Sequence, residues 1–186
     1  MTSLQNSNLF YAGDMKKYIF ASVASSFLLA GVAFAALYQA SPTVCSGNWM
    51  TCSNAYASDD TYSEGSAGGV NSSGIWTGYV FGLPGGATVS KVEVGVEGKE
   101  KKVGALCNGT ATVDVAISNN GGTSFGPNHT VTLACNDSLT WIDVTADVAS
   151  SSWTVGSLSS TSFQVRAVCT NRTCLLDHLP AQVTTL

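Results

Sequence analysis

The run IWTGYVFGLPGGATVSKVEVGVEG (residues 75–98), followed by TATVDVAISNNGGTSF (residues 110–125), decides the fold class. Val92, Val94 and Val96 alternate with Lys91, Glu93, Gly95 and Glu97. A period of two sends the valines to one face and the charges to the other, as in a half-buried strand. Val113, Val115 and Ile117 repeat the scheme against Thr112, Asp114 and Ala116. Asn119, Asn120, Gly121 and Gly122 then supply residues that tolerate positive φ at a tight reversal. The core is therefore expected to be antiparallel β.

Working outward, Ile75, Thr77, Tyr79 and Phe81 alternate with Trp76, Gly78 and Val80. Both faces of that strand are largely apolar, which puts it in the middle of a sandwich or under a cover. Leu83-Pro84-Gly85-Gly86 is a turn, since Pro fixes φ and Gly supplies positive φ. Further strands are expected at residues 130–134, 139–145, 162–170 and 175–185, with a helical turn at 147–152. Pro180 has no N–H to give a ladder, so the last segment is expected at a sheet edge or to begin irregularly. About eight strands without a helix-period stretch predict an all-β antiparallel sandwich or jelly roll.

Ahead of this body, Lys16 and Lys17 precede YIFASVASSFLLAGVAFAALY, residues 18–38, which carries no charge and holds the small-x-small triplet Ala33-Phe34-Ala35. That is the order of a secretory signal peptide, assigned to residues 1–35, with Met15 as an alternative start. A retained membrane anchor is the other reading, because the run is long enough to cross a bilayer. Either way the remainder lies outside the cytoplasm, with membrane contact only if the leader is kept. Residues 36–58 read as a polar lead-in carrying Cys45 and Cys52, and residues 59–186 as one β-sandwich domain.

Charged residues are only 11% of the chain, against about 25% in ordinary soluble domains, and polarity rests on hydroxyls and amides. Removing the leader leaves six Lys and Arg against eleven Asp and Glu. An acidic surface without a basic stripe excludes nucleic acid as a natural partner.

All six cysteines follow the leader, and an even count in an exported chain reads as three disulfides. Nearest-neighbour pairing joins Cys45 to Cys52, Cys107 to Cys135 and Cys169 to Cys174. The spacings do not fit a zinc site, and no haem-attachment motif occurs. Asn71, Asn108, Asn128, Asn136 and Asn171 each begin an N-x-Ser/Thr glycosylation acceptor.

Chemistry-bearing motifs are sparse. Gly122-Thr123-Ser124-Phe125-Gly126 has the spelling of a serine-hydrolase elbow, but it follows a hairpin turn and leads into a strand, where the elbow needs a strand and then a helix. A secreted hydrolase would need His129 or His178 beside Ser124 or a carboxylate, and the reading is non-enzymatic. Asp59 and Asp60 precede the first strands and Asp177 opens the last. If those segments pair, the three form an oxygen-only set suited to a structural Ca²⁺; the alternative is that they cap turns. Trp76, Tyr79, Trp141 and Trp153 are candidates for a sugar-stacking platform or for core.

Taken together, SDDTY, GLPGGATVSKVEVGVEG, VDVAISNNGGTSF, WIDVT, FQVRAV and LDHLPAQVTTL resemble a jelly-roll β-sandwich module of exported, cell-surface and phage-structural prokaryotic proteins, distantly like carbohydrate-binding modules. The resemblance implies Ca²⁺ at Asp59, Asp60 and Asp177. The expected function is an extracellular structural subunit of a surface layer or filament. It would assemble by adding the lead-in to a neighbour's sheet edge, with copies of itself or other surface proteins as partners. The alternative is a carbohydrate-binding module of the envelope or matrix, with glycans as partners.

Overall fold

A computed structural model describes residues 35–68, 70–104, 106–148 and 153–186. The proposed leader and most of the expected helical turn at 147–152 fall outside the described residues. Among the described residues no helix is long and apolar enough to cross a membrane.

Two antiparallel sheets pack as a β-sandwich. The strands are β1 (Ala36–Ala40), β2 (Val44–Gly47), β3 (Ser63–Ser66), β4 (Ser73–Thr77), β5 (Val89–Glu100), β6 (Ala111–Ser118), β7 (His129–Leu133), β8 (Ser138–Asp143), β9 (Gln164–Asn171), β10 (Thr173–His178) and β11 (Ala181–Thr185). A short 3-10 turn, Cys52–Ala55, follows β2. In the first sheet the long β5 pairs with β8 on one side; on the other it pairs with β11 along its first half and β10 along its second. β1 and β3 lie outside β11 and β10 respectively. The second sheet runs β2, β4, β9, β6, β7.

The alternation read from the sequence is the packing. Val92, Val94, Val96, Val113, Val115 and Ile117 are all fully buried between the sheets. The expected strand at 75–81 stops at Thr77, because Gly78 and Gly82 both adopt positive φ and bend the chain out of the ladder. Tyr79 and Phe81 nevertheless stay inside, meeting Phe163 edge-on at 5.2 and 5.5 Å. Trp76 meets Trp49 at 5.8 Å and 74°. Two glycines make room for that pair. A Cβ on Gly74 would lie 2.7 Å from the Trp76 ring, and one on Gly65 would lie 2.6 Å from that of Trp49.

Pro180 does not mark an edge. It sits in the break between β10 and β11, outside either ladder, where no strand partner needs an N–H, and its carbonyl accepts the Gly95 N–H at 2.7 Å. The last segment is thus interior to its sheet. The segment 36–58 is likewise no separate lead-in: β1 pairs with β11, β2 pairs with β4, and Trp49 and Ala55 are core. Three disulfides close the body: Cys45 with Cys52, Cys107 with Cys135, and Cys169 with Cys174. Such bridges are typical of oxidising, extracellular settings.

Candidate metal centre on the outer face

Strand registers bring distant acids together. β10 pairs with β3 through Leu176 and Ser63, which sets the residues just before Ser63 beside Asp177. β5 pairs with β8 through Gly98 and Ser138, which sets Asp137 beside Lys99. The bulge after Leu176 holds Asp177 at a site where it is only 2% exposed. Asp60, Asp137 and Asp177 each present an oxygen within 4.8 Å of the others.

Among the described residues, Asp137 Oδ1 is buried without a hydrogen-bond partner. Its Oδ2 accepts the Tyr62 hydroxyl at 2.6 Å, and Asp60 Oδ1 lies 3.1 Å from the same hydroxyl. The nearby cation is Lys99, which donates to the Tyr62 oxygen at 2.8 Å and rests 4.0 Å from the ring centre, reaching the carboxylates through the phenol and not by a direct ion pair. Burial, then hydrogen bonds to Asp137 and Asp60, push the Tyr62 phenol far above its ordinary range and keep it protonated. Burial, reinforced by the charges of Asp137 and Asp59, raises the Asp177 carboxyl. Glu97, facing the same acids, is raised chiefly by burial and further by Asp177.

Three carboxylates crowded enough to repel, with an orphaned buried oxygen on Asp137, fit a hard divalent cation. Asp60 itself stands at φ 64°, a left-handed conformation that an aspartate tolerates. The expected ligand set is revised in one member. Asp59 accepts from the Thr61 N–H at 3.0 Å and from the Thr61 hydroxyl, which hold its carboxyl below the usual range, so it caps the turn. Its backbone N–H points at Asp177 Oδ1, 3.3 Å away. Asp137 joins Asp60 and Asp177 in its place. Nothing local flagged Asp137, which in the sequence is the middle of a glycosylation triplet.

The aromatic quartet divides. Trp76 and Tyr79 are fully buried and Trp153 is 8% exposed, so these three are core and make no stacking platform. Their polar ends are satisfied inside, Tyr79 Oη on the Leu179 carbonyl and Trp153 Nε1 on that of Thr145. Trp141 alone is partly exposed. It shares an outer face with Leu139, packed over Gly95.

Ser124 lies on an exposed loop and bonds Asn120, while His129 bonds Asp147 at 2.7 Å. His178 does meet a serine and a carboxylate: Nε2 is 2.9 Å from Ser41 Oγ, and Nδ1 is 3.7 Å from Glu97 Oε2. Ser41 is exposed on the link between β1 and β2, and the three principal cavities are lined by other residues.

All five acceptor asparagines, Asn71, Asn108, Asn128, Asn136 and Asn171, are exposed. Four of them share one end of the sandwich, on the connections β3–β4, β5–β6 and β7–β8 and at the close of β9. Those connections touch: Ala67 N–H donates to the Arg172 carbonyl, Glu100 N–H to that of Ala134, and Asn171 Nδ2 to that of Thr110. No protein-family model matches this chain and no curated protein matches it.

Proposed function

We propose that the chain is an exported, non-enzymatic structural protein, a jelly-roll subunit of an extracellular layer or filament, with Ca²⁺ held by Asp60, Asp137 and Asp177. The observation that carries the reading is the open flank formed by β1 and β2. Among the described residues both sheets end there in an unpaired strand edge, and Leu37, Val44 and Val80 are exposed at 61%, 55% and 72%. Unpaired ladders with apolar side chains beside them favour association with another chain. The metal belongs to the same reading, since a cation joining β3, the β7–β8 turn and β10 stiffens a building block without requiring a reaction.

Sedimentation and negative-stain microscopy of mature protein, with Ca²⁺ and with chelator, test this. Concentration-dependent higher-order species are expected. A strict monomer at millimolar protein would overturn the assembly reading, and specific glycan binding by that monomer would favour a carbohydrate-binding module.

A further inference from the structure

Deepening the assembly reading and resting on it, we propose that β1 is the exchanged element: Ala36–Ala40 of one copy lies on the β11 edge of a second copy. β1 is an outer strand whose ladder partner is β11, with Ala36 opposite Thr185 and Ala40 opposite Ala181. It is covalently free of the body, because the first bridged cysteine, Cys45, comes after the link of residues 41–43. β2 is anchored. Thr43 N–H donates to the Thr77 carbonyl at 3.0 Å, β2 pairs with β4, and Cys45 is bonded to Cys52. The boundary between movable and anchored chain therefore falls on Ser41, Pro42 and Thr43.

The inward contacts of β1 are Ala40 in the core and Tyr38 packed against it. Ala36, Tyr38 and Ala40 face inward, two of them methyl-sized, while Leu37 points out. On exchange the same ladder and the same inward contacts re-form against an identical β11, so the closed and exchanged states differ only in the link, the new contact between copies and concentration. Three extended residues span only about 10 Å, which forces the two copies to abut along this flank. The surface they bring together holds exposed Leu37 and Val44, beside a groove of about 520 Å³ lined by Thr43, Val44, Thr77, Gly78 and Val80. The Ser41 hydroxyl bonded to His178 is the side-chain latch on the link in the closed form. Cleavage after Ala35 would leave Ala36, the first residue of β1, as a free end.

Leu37 and Thr184 are ladder partners, which gives a direct test. Full-length L37C and T184C, carrying different tags, are co-produced through the export route and run without reductant. The expected product is a covalent pair bearing both tags that separates on reduction. L37C with L139C, whose added thiol lies on the far strand β8, should link at least tenfold less. Absence of the two-tag product, while the L37C/T184C double variant closes within one chain, would overturn the exchange. Equal linking to L139C would also overturn it, as random collision. Filaments seen by microscopy without the two-tag product would sink the exchange of β1 yet leave the assembly reading standing; absence of any assembly would sink both.

Discussion

At the scale of single residues, Asp177 gives the sharpest test of the acidic site. Its carboxyl is raised by burial and by neighbouring acids, so at neutral pH the ionised form costs folding free energy unless a cation is bound. Asp177→Asn keeps an acceptor for the Asp59 N–H and removes the repulsion. Metal-free D177N is expected to melt higher than metal-free wild type at pH 7 and to lose the Ca²⁺ response. Wild type should gain about 2.7 kcal/mol at a hundredfold excess of Ca²⁺ over its Kd. Calorimetry with and without Ca²⁺ reads both arms, and a Ca²⁺ gain retained in D177N would sink the site. Trp76→Ala probes the core instead: a fully buried indole leaves a cavity, and a loss of about 3–5 kcal/mol is expected in urea unfolding. Asp60 and Asp177 were legible as an early and a late acid. Asp137 was not, because its place depends on Ser138 facing Gly98 across a ladder, a relation that no local spacing encodes.

At the scale of elements, strands with clean alternation could be read directly, and β5, β6 and β9 lie within a residue or two of expectation. β1, β2 and β3 could not. They are four or five residues each, rich in Ala, Ser and Gly, and are strands because neighbours supply their ladders, not because of a pattern of their own. The β5–β6 connection, which crosses from one sheet to the other, shows how elements are tied together. Glu100, buried at the end of β5, accepts the Thr110 N–H at 2.6 Å and the Ala111 N–H at 3.1 Å, so one carboxylate starts β6. The Cys107 to Cys135 bridge then fastens the same connection to the β7–β8 turn across 28 residues of sequence separation. Replacing both cysteines by alanine is expected to cost about 3.5 kcal/mol on the chain-entropy estimate, measurable as a lowered urea midpoint. A cost under about 1 kcal/mol would show that the connection is held mainly by the Glu100 hydrogen bonds.

For the whole molecule, the acids fall into two groups with opposite signs. Glu100 is held low by the Thr110 N–H first, and Asp143 by Thr145. Groups with depressed folded values stabilise above their unfolded range, near pH 4, and that stability is lost as pH falls through the folded values. Asp177 and Glu97 are raised, so protonation as pH falls toward that range relieves the folded state. His178, lowered by burial, contributes as a neutral ring above about pH 6.5 and loses that contribution below it. The Ca²⁺ increment in stability is therefore expected to shrink as pH falls from 7 toward 4, because protons displace the ion from the raised Asp177 carboxyl. E100Q should flatten the acid limb below pH 4 while leaving the Ca²⁺ increment intact. Denaturation midpoints across pH, with and without Ca²⁺, separate the two. An increment that does not depend on pH would argue that the ion binds elsewhere.

The gathering of Asn71, Asn108, Asn136 and Asn171 at one end gives the molecule a pole. Oligosaccharides attached there would stand as a hydrated brush over Val103 and Leu106 on the β5–β6 connection, which are exposed at 72% and 75%, screening them from proteases and from stacking end to end. The bare sides would be left as the only ground on which copies can meet, so decoration at one extremity would steer growth sideways.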